Sequence, residues 1–246
     1  MDIYSQWFIA LVAVLLFLVE TLWPNHRSGF DKGWLLRAAF LALAGVSLET
    51  VFGDFLDPWL KQVHLFPTLS LGLSSWPAIL SGLLGYYVVS FLVYWWHRLR
   101  HSSNFCWRAF HQIHHSPARI EVLTTFYGHP ADFVANAAII SLVSFVFLGL
   151  SPLAAGWCLF WVGIFDTWEH TNVKTPVWLG YLIVRPEMHR VHHEYGKHAK
   201  NYGIPLWDML FGTFENSSRN VMRCGFDENQ ELRLLEMLGA KDVHEN

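Results

Sequence analysis

At 246 residues the chain has the length of one compact domain or one membrane unit. Hydrophobic residues make up 53% of it and charged residues only 15%, against about 25% charged in soluble domains, which excludes a soluble globule and predicts an integral membrane protein. A net charge of −3 argues against a nucleic-acid partner, and Cys106, Cys158 and Cys224 offer neither a disulfide framework nor a thiolate metal site.

No Asp, Glu, Lys or Arg occurs over residues 3–19, 62–96 or 133–165, and a span of the hydrocarbon core takes about 20 apolar residues. The first apolar segment runs from Ile3 to Leu22 and ends at Trp23-Pro24. It lacks a basic leader, and Glu20-Thr21-Leu22-Trp23 is a poor cleavage site, so it reads as a retained helix. The second covers Trp34 to Phe52, with Arg37 placed to snorkel. A loop containing Pro67, Gly72 and Pro77 precedes the third, Trp76 to Trp96. The fourth and fifth, Phe133 to Leu150 and Leu153 to Trp168, meet at Ser151-Pro152 and predict a hairpin, spanning or re-entrant. Arg27 and Lys32 in the first loop, Arg98 to Arg119 after the third segment, and Lys174, Arg185 and Arg190 after the hairpin put these regions on the positive, cytoplasmic side. The expected fold is an all-α membrane helical bundle of about four transmembrane helices under a cytosolic His-rich helical cap. It forms one domain: base 1–96, first His-rich region 97–132, membrane hairpin 133–168, second His-rich region 169–216 and tail 217–246. The charged, leucine-spaced tail predicts a short surface helix.

Eleven of the fourteen histidines fall between His97 and His198, in groups. The pattern is His97-x3-His101, His111-x2-His114-His115, a single His170, and His189-x2-His192-His193. Residues three or four apart share a helix face, and imidazole is the commonest nitrogen ligand for a transition metal. One His-x3-His arises readily by chance among surface histidines. Two copies of His-x2-His-His beside it argue for metal. A structural zinc site closes with four ligands, often thiolates; nine histidines without paired cysteines fit two ions. Two irons account for the count, and two zincs remain an alternative. His26, His64 and His244 are isolated and read as ordinary histidines.

These boxes, His111-Gln-Ile-His114-His115-Ser116-Pro117, His170-Thr-Asn172 and the closing run Asn201-Tyr202-Gly203, Trp207-Asp208 and Phe211-Gly212-Thr213, resemble the fatty acid hydroxylase / sterol desaturase superfamily. The resemblance covers roughly half the chain, from Trp95 to Phe214. It implies a membrane di-iron oxygenase in which His97, His101, His111, His114, His115, His170, His189, His192 and His193 hold two irons. Some members carry a further histidine where this chain has Asp166, which leaves Asp166 as a ligand, an acceptor orienting His170, or a helix-end charge. The resemblance also offers Asn172 and Asn201 as hydrogen-bond partners of ligand imidazoles and His129, in a His-Pro element, as a further site candidate; His198, in a variable stretch between His193 and Asn201, is a candidate by position alone. Glu194 departs from the small polar residue common after the last box.

A C–H bond without acidic hydrogen or leaving group cannot be cleaved by acid–base chemistry alone; metal-activated O2 can attack it. The implied substrate is a lipid (fatty acyl, sphingolipid, sterol or ether lipid), hydroxylated with O2 as co-substrate, or desaturated at the same site. Tyr86, Tyr87, Tyr94, Phe126 and Tyr127 are candidates to line its path, although aromatic stripes more often serve packing. Electrons would come from a separate ferredoxin or b-type cytochrome, with Arg98, Arg100, Arg108 and Arg119 as a docking patch or as topology signal alone. The location expected is a bacterial inner membrane, or endoplasmic reticulum in a eukaryote. The rival reading is a metal-binding membrane transporter, whose ligands should lie at bilayer depth.

Overall fold

Asp31 opens the longest helix by accepting the amide of Trp34 on its side chain at 2.9 Å, satisfying one of the unpaired donors of a helix start. The computed structural model describes residues 3–62 and 73–244. Helix α1 spans Ile3–Leu22, α2 Lys32–Leu60 and α3 Ala78–Ser102. A short α4 (Asn104–Cys106) runs through a π-helical turn, Trp107–His111, into α5 (Gln112–His115). Then come α6 (Pro130–Ser141), which continues as a π-helical stretch to Phe147, and α7 (Pro152–Glu169). The rest comprises α8 (Pro186–His192), α9 (Pro205–Leu210), α10 (Glu228–Glu231) and α11 (Leu234–Leu238). Among the described residues there is no β-strand, and the expected membrane helical bundle stands.

Helices α2 and α3 and the continuous Pro130–Phe147 run are long and apolar enough to cross a membrane, and α1 is apolar from Trp7 to Leu22. Outward-facing Leu36, Phe40, Leu43, Val51 and Phe55 on α2 are exposed, as a lipid-facing helix requires. The second predicted segment is longer than its apolar run: α2 continues past Phe52 to Leu60 and contains Pro58. The loop with Pro67 and Gly72, and His64 within it, lie outside the described residues.

The two arms of the predicted hairpin barely pack on each other. Instead α6 lies along α2, and α7 lies between α1 and α3. Small residues permit these close approaches. A Cβ on Gly82 of α3 would collide with the Cβ of Trp157 and fall 2.7 Å from the carbonyl oxygen of Ala154, and one on Gly45 would meet the ring of Phe133 at 2.6 Å. Val89, Ile140, Val143, Ala154, Cys158 and Leu159 form the core between these helices.

A second core, Trp34, Leu41, Ile113, Tyr127, Phe226, Met237 and Val243, joins α2 to the first His-rich region and the tail. The tail is therefore not a surface helix. It folds as two short helices, buries Met237 and Val243, and holds Gln112 between the carbonyl of Lys241 and the amide of Val243. Glu20, at the end of α1, accepts the backbone amides of Val122 and Asn172, pinning the loops of both His-rich regions to the base.

Candidate metal centre

Helix α3 carries His97 and His101 in its last two turns, beyond the apolar run. The π-turn before α5 and α5 itself carry His111, His114 and His115. His170 caps α7, and α8 with its cap carries His189, His192 and His193. π-Turns insert one residue into a helix and recur at functional sites; this one ends on His111. Nine imidazoles from four stretches of chain converge in two sets. His97, His101, His111, His115 and His192 form one; His114, His170, His189 and His193 form the other, and the offered ligand atoms of each set lie within 4.8 Å of one another.

The partition follows helix geometry. Residues i and i+4 are about 40° apart around a helix, and i and i+3 about 60° apart on the other side. In each His-x2-His-His box the i, i+4 pair stays together, His111 with His115 and His189 with His193. The middle histidine crosses over: His114 joins the α8 pair, and His192 joins the α5 pair. The two boxes thus exchange one residue each.

In four of the nine rings a carbonyl holds the outer nitrogen and leaves the inner one spare, whereas Nδ1 of His111, His189 and His193 has no hydrogen-bond partner among the described residues. Nδ1–H donates to a carbonyl oxygen at 2.7 Å in His97 (Tyr202), His170 (Asp166) and His192 (Lys200), and at 3.3 Å in His114 (Tyr127). Such bonds fix the tautomer and leave Nε2 with its lone pair. Nε2 atoms then face each other at 3.1 Å for His111–His115, 3.2 Å for His114–His170, 2.9 Å for His170–His189 and 3.0 Å for His189–His193. Nε2 of His97, His101 and His192 is buried without any partner. Two nitrogens each about 2.1 Å from one cation and at right angles lie about 3.0 Å apart, so these spacings fit a shared ion. Burial lowers His111, His114, His115, His189 and His193 well below the ordinary imidazole value and His192 to about 3. The rings are neutral at pH 7, the form that binds metal.

Around the nine, the structure redistributes the other candidates. His198 places Nδ1 3.1 Å from Nδ1 of His115 and is the outer partner of that ring. His129 is elsewhere: its Nδ1 accepts the Ala131 amide as the cap of α6, and its Nε2 donates to Leu238. Asn172 grips the backbone of His26 through both side-chain atoms, and Asn201 holds the carbonyls of Met188 and Glu215 and the amide of Glu215. Neither touches an imidazole; both brace the backbone that carries one. Asp166 orients His170 with its main-chain carbonyl, while its carboxylate, 3.7 Å from His170 Nδ1, faces a cavity. Glu194 turns outward to Arg219 and Lys197.

Sequence reasoning missed Glu169, whose Oε1 lies 3.3 Å from Nδ1 of His189, and the role of Asp132, 3.5 Å from Nδ1 of His111 and ion-paired to Arg100. The order Glu169-His170 was the only visible signal for the first. Of the four arginines of the expected docking patch, Arg108 donates to the Asn104 carbonyl at the surface, and the other three have partners of their own. Arg100 is buried against Asp132, Arg119 binds Glu121 and the Gly29 carbonyl, and Arg98 lies over Tyr94 and Trp95.

A cavity of about 640 Å³ runs from His97, His111, His114, His170 and His189 down to Val46, Val89, Leu159 and Val162 in the helical base. Of the five aromatic candidates, Tyr86, Tyr87 and Phe126 line it. Tyr94 and Tyr127 are packing residues, stacked on Phe211 and Trp34 respectively.

Comparison with known proteins identifies the family. The family model described as Fatty acid hydroxylase matches residues 82–213. Ornithine lipid hydroxylase OlsE of Rhizobium tropici is 28% identical over 89% of this chain and 70% of its own length. Alkylglycerol monooxygenase of Homo sapiens is 30% identical over 54% of this chain, which spans only 30% of that protein. Sphinganine C4-monooxygenase 1 of Arabidopsis thaliana is 23% identical over 76% of this chain and 71% of its own length. No solved structure matches the chain. With its boxes inside the matched segment and the match covering more than half of its length, the chain belongs to the fatty acid hydroxylase family.

Proposed function

We propose that the protein is a membrane di-iron oxygenase that hydroxylates a C–H bond of a lipid-like substrate, R–H + O2 + 2 e⁻ + 2 H⁺ → R–OH + H2O. The observation that carries this reading is the opening of two convergent sets of neutral nitrogens onto a cavity lined for the rest mainly by apolar side chains. His97, His101, His111, His115 and His192 would hold one iron; His114, His170, His189 and His193 would hold the other. Iron so bound supplies activation of O2, which no side chain of this chain can perform.

The remaining work is done by the protein. Carbonyls of Tyr202, Asp166 and Lys200 and the ring of His198 keep the imidazoles aimed inward. The apolar length of the cavity takes up lipid without exposing it to water and limits which carbon reaches the centre. Electrons would come from a separate ferredoxin or b-type cytochrome with its reductase, and the cap would face the cytoplasm of a bacterial inner membrane. Hydroxylation is favoured over desaturation at the same site because the three relatives named above are a hydroxylase and two monooxygenases, although other relatives are aldehyde decarbonylases. The transporter alternative has no support: the nitrogen clusters lie at the helix ends and in the cap, not within the spans.

Metal analysis of detergent-purified, anaerobically iron-loaded protein tests the reading, followed by reduction and exposure of membrane lipids to isotopically labelled O2. About two irons per chain, lost in His111→Ala, with label in a lipid hydroxyl, is the expected result. Absence of metal, or two zincs that iron cannot replace, would overturn it.

A further inference from the structure

The cavity is acidic where a lipid site needs no charge. Glu49 on α2, and Asp166 and Glu169 on α7, line it along with apolar residues. The cationic side chain in the same wall, Arg100, is committed to Asp132. Glu169 has the imidazole of His189 beside it, and Asp166 turns half-exposed into the cavity. Glu49, part-buried, has no hydrogen-bond or ion-pair partner among the described residues, although Asp166 is near enough for the two charges to interact. Two further polar atoms on this wall, Oγ1 of Thr125 and Oδ1 of Asn136, are buried without a partner.

A carboxylate in an apolar wall is costly unless a counter-charge meets it. A fatty acid would bring a further acidic group to the same place, and a neutral lipid would supply no counter-charge. A protonated amine supplies the missing charge and donors for the acceptors at Glu49, Asp166 and Asn136. Only one imidazole ring separates the Asp166 carboxylate from the four-nitrogen set, since His170 turns Nδ1 to Asp166 and Nε2 to the cluster.

We infer that the cavity selects lipids whose polar end carries a protonated amine, seated between Glu49 and Asp166. This deepens the oxygenase reading of the same cavity and rests on it for the word substrate, while binding itself needs no metal. Glu49 and Asp166 are then specificity-determining residues of the site.

The test is binding of three probes of equal chain length, dodecylammonium, dodecanol and dodecanoate, to metal-free protein in a non-ionic detergent, read by quenching of tryptophan fluorescence. Dodecylammonium is expected to bind at least about tenfold more tightly than dodecanol, as a charge-assisted contact implies, and dodecanoate most weakly. Glu49→Gln and Asp166→Asn should each remove most of that preference, and Glu49→Asp should keep it. Dodecanol binding reports whether each variant is folded. Equal binding of the three probes by wild type, or an amine preference that survives the Glu49→Gln/Asp166→Asn double variant, would overturn the inference. The two readings fail separately. Amine preference without lipid oxidation after iron loading removes the oxygenase and keeps the amine site; lipid oxidation without amine preference does the reverse.

Discussion

His115 and His198 face each other Nδ1 to Nδ1 at 3.1 Å, so one ring must donate and the other accept. His115 turns its Nε2 to that of His111 inside the five-nitrogen set, which makes His198 the group that fixes its tautomer and tilt. His198 sits at φ 40 just after the turn that follows α8, a backbone conformation uncommon outside glycine but one that histidine, like Asn and Asp, adopts more readily than most residues.

His198→Ala should therefore weaken metal binding at the five-nitrogen set by about 10- to 100-fold, the usual effect of losing an outer partner. The four-nitrogen set should keep its ion, and His198→Gln should restore part of the loss. Chelator competition on metal-loaded protein measures this; equal release of both ions from His198→Ala would contradict it.

Acid should unfold the metal-free protein early. Burial lowers His114 and His193 well below the ordinary value, His192 to about 3 and His198 to about 4. Unfolded imidazoles take up protons near pH 6.5. Below that pH the unfolded chain binds more protons than the folded one, so stability present above about 6.5 is lost as pH falls. The apparent melting temperature should drop between about pH 7 and 5 and stay nearly level between 7 and 8. A melting temperature flat from 7 to 5 would show that these rings are not buried as described.

Gly82 sets the distance between α3, which bears His97 and His101, and α7, which ends at His170. Gly82→Ala would drive a Cβ into Trp157 and the Ala154 carbonyl, costing about 1–3 kcal/mol as an overpacked contact. Thermal unfolding should show the loss, and metal retention should fall with it as the two helices part. An unchanged melting temperature would mean that the helices are not this close.

The tail should matter to the centre although it holds no imidazole of either set. Met237 is fully buried against α2 and the first His-rich region, and Met237→Ala should cost about 2–5 kcal/mol. Deleting residues 227–246 should uncover Ile113 and Tyr127 and lower metal content. Full metal occupancy in the truncated protein would show that the tail merely covers the cap.

Much of this was legible in the chain. Apolar runs free of charge announce membrane helices because every side chain facing lipid must be apolar, a local requirement. The nine histidines stand out because ligands on one helix face must repeat at three or four residues. By contrast His129 and His198 looked alike as lone histidines near the boxes. One caps α6 and the other supports His115, a difference made by residues far apart in sequence. Glu49 carried no signal at all: a single acid in an apolar run reads as a tolerated charge until a cavity opens beside it.

The sequence by itself therefore determined the class of fold, the nitrogen-rich centre and the family, since composition and helical spacing are properties of short stretches. Tertiary structure decided how the nine rings divide, with His114 and His192 exchanged between the boxes. It also decided which carbonyls aim them and which carboxylates face the cavity. Those depend on how α3, α5, α7 and α8 are set against one another, and that is fixed by packing across the whole chain.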